Sequence, residues 1–581
     1  MSKYIDINRS KNRVLRTLLI SGLCGFLVAC DSGEERNTTS TDKTYDILID
    51  GGLVYDGSGA SPRALDVAIK GDRIVALGQF APENAKEVIN AEGMAVAPGF
   101  INMLSWGADA LIHDGRGLSD VTQGVTLEVF GEGWSMGPLT EPMKNIVKAR
   151  QTNLKYDIEW NTLGEFLTYL ENRGVSPNIA SYVGAATVRV MHLGPTSRAP
   201  NENELAAMQQ TVAEAMEEGA MGLGAALIYP PGSFATDEEL TALAAVAGRY
   251  GGSYQAHMRS EGDRLEESVD GMIRIAEQAN MGVEIYHLKA AGKANWPKMD
   301  RVIAKINEAR ARGTDIRANM YTYTAGSTGL SASMPPWLQE GGVEAWMRRL
   351  QDPSLRARII EEINSPGKNW ENIFMASGGA DNVILVGFKS PALQYLTGKT
   401  LAEAAELRGQ TPAEAIIDLI VEDGSRVEAV YFMMSEENLK KQMQEDWVSF
   451  QSDAPTMAPE GAFLDQSVHP RAYGTFARLL GKYVRNESVM PLEEAIRRLT
   501  SLPAENLKIK DRGLLQTGFL ADVVVFDPNR IEDNATFIKP HQLSSGMQHV
   551  FVNGEAVIRN GQHTGATPGR FVKGPGYKGQ N

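Results

Sequence analysis

From about residue 98 to residue 500, short apolar runs alternate with amphipathic helical stretches such as Glu202 to Gly219, Asp237 to Tyr250, Asp263 to Ala279 and Met299 to Arg312. A crossover helix returns the chain to the same end of the sheet before the next strand begins, so repetition of the pair makes the strands parallel. Closed on themselves, such units form a (β/α)8 TIM-like barrel, an α/β fold whose chemistry gathers at the C-terminal ends of its strands. The stretch from about 341 to 445 is helix-rich and too long for a βα loop, which predicts an insertion over the mouth of the site.

The two ends carry another pattern. Asp46 to Ile49, Asp66 to Ile69 and Arg73 to Leu77 are strand runs broken by Gly51-Gly52, Asp56-Gly57 and Gly71-Asp72, the marks of hairpins. Ala521 to Asp527 and His549 to Gly554 repeat it near the C-terminus. The expected organisation is a barrel over 98–500 and a small β-sandwich assembled from residues 45–97 and 501–575.

Residues 1–29 read as a signal peptide, because Arg9, Lys11, Arg13 and Arg16 precede an apolar run, Thr17 to Ala29, too short for a permanent spanning helix. Leu27-Val28-Ala29-Cys30 resembles the bacterial lipobox. That implies cleavage before Cys30, acylation of its thiol, and an exported lipoprotein on the periplasmic side, held to the inner or outer membrane by this anchor alone. The polar stretch 30–44 suits a flexible tether. Cys24 and Cys30 are the only cysteines, so after processing no thiol remains for a disulfide or a metal. A formal charge of −15 argues against nucleic acid as a partner.

Inside the expected barrel, His257, His287 and Asp453 each end a short apolar run, in Y-Q-A-H-M-R-S-E-G, V-E-I-Y-H-L-K-A and W-V-S-F-Q-S-D-A. A hydrolytic zinc needs three protein ligands and one position left for water, with nitrogen or oxygen donors where cysteine is missing. The two histidines are natural ligands. A carboxylate close by accepts a proton from water and returns it to a departing amine, the role open to Asp453.

The resemblance of the chain rests on Ala97 to Ile101, Glu217 to Leu223 followed by Leu227 to Ser233, Ala256-His257-Met258-Arg259 and His287-Leu288-Lys289. It continues through Tyr321 to Leu330, Ser452-Asp453, His469 to Phe476 and Asp511-Arg512-Gly513. Over about residues 45 to 573 the chain resembles the N-acyl-D-amino-acid deacylase (D-aminoacylase) group of the amidohydrolase superfamily. The resemblance implies one zinc ion on His257 and His287, with Asp453 as the catalytic aspartate. Lys289, Tyr321, Ser327 and Arg471 match residues around the substrate carboxylate, where a guanidinium offers a two-pronged fit. The implied substrate is a small-molecule N-acyl amino acid, cleaved to a carboxylate and a free amino acid.

Several positions depart from that pattern. The group's cysteine ligand falls on Gly133, with Glu132 its neighbour; a His2Glu set is a catalytic zinc pattern, provided the loop has turned at Glu132, since adjacent strand residues point oppositely. Leu104 and Trp106 replace an H-x-H pair, so one metal at most is expected, with Trp106 and Trp134 filling the vacated space as apolar bulk. A histidine expected in a V-G-H-G-like turn is replaced within Val183-Gly184-Ala185-Ala186. These losses keep open a reading of another class, a metal-free barrel that binds acyl-amino acids or peptides without hydrolysis.

Overall fold

The structure, a computed structural model, describes residues 43–579. The signal peptide expected at 1–29, Cys30 and nearly all of the tether lie outside the described residues. Among the described residues no helix is long and apolar enough to cross a membrane.

Parallel strands form the barrel in chain order: Phe100–Asn102, Val125–Phe130, Asn178–Ser181 continued by Val183–Gly184, Gly222–Ala226, Ser253–His257, Val283–Ile285, Ile316–Met320 and Val448–Phe450. A parallel bridge between Ser105 and Ala454 joins the last strand to the first and closes the ring of eight. The strands are buried almost throughout, Arg317 alone being partly exposed, so the polar residues that alternate with apolar ones in them, such as Thr126, Glu128, Gln255 and Glu284, are buried as well. Between them the helices start and stop where their own residues say. The helix Glu202–Glu218 opens on a capping box, Asn201 accepting from the Glu204 amide, and closes on Gly219 at φ 111°. Leu265–Ala279 turns Val269, Met272, Ile273 and Ala276 inward at helical spacing.

A nine-stranded sheet joins the two ends of the chain. Ala95–Pro98 pairs antiparallel with Val523–Phe526, so the N-terminal and C-terminal halves meet strand to strand. Ile49, Val67, Ile69, Val96, Val523, Val525 and Phe551 form its core, each contributing about 1.5–3 kcal/mol on burial. A buried polar bolt ties the sheet to the barrel. Arg512 pairs with Asp522, while Asn178 of the third barrel strand donates to Asp522 Oδ2 at 3.3 Å and accepts from Asn553 at 2.8 Å.

The long excursion lies between the seventh and eighth strands. It opens at the strand Ala325–Gly329, ahead of the expected start near 341, because that strand pairs antiparallel with Glu428–Phe432, which in turn pairs with Val383–Gly387. The segment is thus a small sheet with helices around it, and Ser327 belongs to that sheet rather than to a barrel loop.

Candidate metal centre

Glu132 follows the second strand, which ends at Phe130. Gly131 at φ 107° and Gly133 at φ 72° turn the chain on either side of it, so the carboxylate is presented by a turn and not by strand alternation. A Cβ on Gly133 would lie 2.8 Å from the Ala226 Cβ and 2.9 Å from its amide nitrogen. No cysteine fits there in this backbone, and it is the neighbouring Glu132 carboxylate that meets the two imidazoles.

His257 closes the fifth strand and His287 follows the sixth. Their ring centroids are 4.5 Å apart at 76°. Both face one oxygen: Glu132 Oε1 lies 3.3 Å from His257 Nδ1 and 3.0 Å from His287 Nε2. All three side chains are buried, and their donor atoms lie within 4.8 Å of one another. His287 adopts φ 37°, a left-handed backbone that a non-glycine residue holds only when its surroundings impose it. Asn319 supplies the hold, accepting from the His287 amide at 2.8 Å.

Behind the histidines stands Glu261, four residues after His257 and itself buried. Its Oε1 is 2.9 Å from His287 Nδ1 and 2.6 Å from Lys289 Nζ, and its Oε2 is 3.6 Å from His257 Nε2. A carboxylate on the outer nitrogen sets the tautomer so that the inner one offers its lone pair. Burial works to raise the Glu132 carboxyl, but hydrogen bonds and charge from His257 and His287 outweigh it and hold it well below the usual range. Glu261 is lowered in the same way, against burial, by His257, Lys289 and His287. Burial and the Lys289 charge depress His287, yet Glu261, Asp453 and Glu132 together push it up to about 9.

Asp453 follows the eighth strand, also in a left-handed conformation at φ 48°. Arg471 Nη1 holds its Oδ2 at 2.7 Å, and the Trp106 indole Nε1 donates to its Oδ1 at 3.2 Å. Arg471 also lies over the Tyr321 ring, its guanidinium carbon 4.5 Å from the centroid. The four residues expected around a substrate carboxylate are therefore engaged with the protein itself. Lys289 is turned to Glu261, the Tyr321 hydroxyl to the Met434 sulfur at 3.5 Å, Ser327 Oγ to the Ala429 carbonyl at 3.0 Å, and Arg471 to Asp453.

Trp106 corrects the expectation of apolar filling: it is 43% exposed and uses its polar edge. Glu261 and this indole contact are what sequence reasoning missed. The first carried a signal in the His257-x-x-x-Glu261 spacing; the second carried none, since Trp106 and Asp453 are 347 residues apart.

Three buried nitrogen and oxygen donors converging on one point suit zinc, leaving a coordination position for water. A model of the amidohydrolase family matches residues 87–558. D-aminoacylase of Alcaligenes xylosoxydans xylosoxydans is 30% identical over 537 residues, spanning 92% of this chain and 98% of its own. N-acyl-D-glutamate deacylase of the same organism is 32% identical over 531 residues, spanning 91% and 96%. The crystal structure of N-acyl-D-glutamate deacylase from Bordetella bronchiseptica, complexed with zinc and a phosphonate mimic of the tetrahedral intermediate, matches with a TM-score of 0.76 at 28% identity, covering 91% of this chain and 100% of that one. A D-aminoacylase whose binuclear centre is described by one-metal activation and second-metal attenuation gives 0.74 at 29% identity over the same shares. With a barrel closed around a histidine–glutamate centre and the family model running through most of its length, this chain belongs to the amidohydrolase family.

Proposed function

We propose that this protein is a zinc-dependent deacylase of N-acyl-D-amino acids, hydrolysing the linear amide to a carboxylate and a free amino acid. The observation that carries the reading is the convergence of Glu132, His257 and His287 at the strand ends, with Asp453 at the same mouth. Relatives named for N-acyl-D-glutamate and N-acyl-D-aspartate deacylation support the substrate class.

Zinc on that triad supplies Lewis acidity and an activated water. The chain's own residues do the rest. Asp453 takes the proton from the attacking water and passes it to the nitrogen of the leaving amino acid. Arg471, stacked on Tyr321, receives the substrate carboxylate by paired N–H donors, with Lys289 and Ser327 beside it. The triad takes one ion, since Leu104 and Trp106 bring no donor to a second position.

Purified protein should contain one zinc per chain and hydrolyse N-acetyl-D-amino acids faster than their L forms. His257→Ala and His287→Ala should each lose both the metal and the activity. Protein free of metal and without turnover would leave a binding protein instead.

The leader and lipobox support export and anchoring through an acylated Cys30, a reading that rests on sequence alone. Incorporation of labelled palmitate that disappears in Cys30→Ala would bear it out, and unlabelled wild type would refute it.

A further inference from the structure

Trp106 stands where an H-x-H pair is absent, on a loop that the barrel holds rigidly. The Ser105 amide donates to the Val129 carbonyl at 2.8 Å, the Trp106 amide to Ala454 at 3.0 Å, and the Asp453 amide to Leu104 at 3.0 Å. Ser105 Oγ donates to the buried Glu128 at 2.7 Å and accepts from the Gly107 amide at 2.9 Å. A Cβ on Gly107 would come within 2.4 Å of Glu128 Oε2, so the loop backbone lies close against that carboxylate. From this base the indole N–H reaches Asp453 Oδ1, while Arg471 holds Oδ2.

The two contacts differ in what an N-acyl amino acid would do to them. Its carboxylate shares the single positive charge of Arg471 with Asp453, and a charge divided between two carboxylates holds each less tightly than it holds the aspartate alone. Nothing in such a substrate competes for the indole edge as an anion does for a guanidinium. Resting on the deacylase reading, we propose that Trp106 is a positioning residue: its indole N–H keeps Asp453 by Oδ1 while the arriving substrate carboxylate draws Arg471 away from Oδ2. Oδ2 is then free to accept the proton of the attacking water and to hand it to the amine nitrogen. Occupation of the carboxylate site and readiness of the base become one event. A neutral N–H donor thereby orients the aspartate without a second cation, for which Leu104 and Trp106 offer no ligand.

Trp106→Phe removes the donor and keeps the ring, and the exposed position spares the fold. The zinc-loaded variant should show kcat lower by about 10- to 100-fold, with KM and zinc content unchanged. In protein labelled with 5-fluorotryptophan, the Trp106 fluorine resonance, assigned by its loss in Trp106→Phe, should move in Asp453→Ala whether or not substrate is turned over. A wild-type kcat in Trp106→Phe, or a resonance indifferent to Asp453→Ala, overturns the inference. A wild type that hydrolyses no N-acyl amino acid overturns the deacylase reading and the catalytic role of Trp106 with it. That failure is recognised before any substitution is made, and the resonance still reports on the contact.

Discussion

Two buried glutamates four barrel strands apart, Glu132 and Glu284, meet opposite fates. Glu284, within the sixth strand, accepts from Asn319 and Asn506 at 2.8 Å and from Ser449 at 3.0 Å. Burial raises its carboxyl, since neutral donors only partly offset the loss of water. Glu132 has two imidazoles instead of amides, and the same burial ends with its carboxyl lowered. Around Glu284 the backbone is ordinary; around the mouth His287 and Asp453 are left-handed, and buried His257 Nε2 has no hydrogen-bond partner among the described residues. The neutral donors around Glu284 satisfy it in place, whereas the left-handed backbone at the mouth is held against its own preference by its surroundings.

The sharpest way to break this comparison is to neutralise each acid in turn. Glu132→Gln should remove zinc and lower kcat/KM by about 10³-fold, the scale of losing a main source of transition-state stabilisation; metal analysis and steady-state kinetics decide it. A variant retaining zinc and activity would return Glu132 to a structural role. One residue further from the metal, Glu261→Gln should weaken zinc by about 10- to 100-fold, read by chelator competition, with kcat recovering once zinc is saturating.

Protonation sharpens the same contrast. In metal-free protein His287 sits at about 9 against an ordinary 6.5. A raised value means the fold favours the charged ring, so its stabilisation is full below about 6.5 and fades as pH rises through about 9. Zinc needs that proton gone. Its affinity should climb through the same window, and calorimetry in buffers of differing ionisation heat should find about one proton released per zinc at neutral pH. Uptake without proton release would contradict the assignment.

Leu104→His combined with Trp106→His tests the single-metal layout, and zinc content should rise from one towards two per chain. The smallest effect belongs to Glu284→Gln: unchanged zinc and kcat, and a stability loss of about 1 kcal/mol by denaturant unfolding. Loss of zinc in that variant would erase the distinction between the two acids.

Much of the site was legible because its signals are local. His257, His287 and Asp453 each end an apolar run, and a strand end in a parallel barrel is where a side chain meets the mouth. Glu132 was legible as a candidate only, since the two glycine turns that aim it depend on φ values the sequence does not display. The start of the excursion was hidden by pairing between Ala325–Gly329 and Glu428–Phe432, strands far apart in the chain. Arg471 was read as a substrate anchor; its bond to Asp453 could not be read, because it joins a strand end to a helix start across the mouth.

Residue order alone determined the alternation of strand and helix, the lack of any thiol after Cys30, and the identity of the imidazoles, because each follows from periodicity or from which donors exist. Tertiary structure decided which carboxylate faces both imidazoles and which stands behind them, and what holds the aspartate in place. Those outcomes turn on distances of about 3 Å between side chains that only closure of the ring brings together.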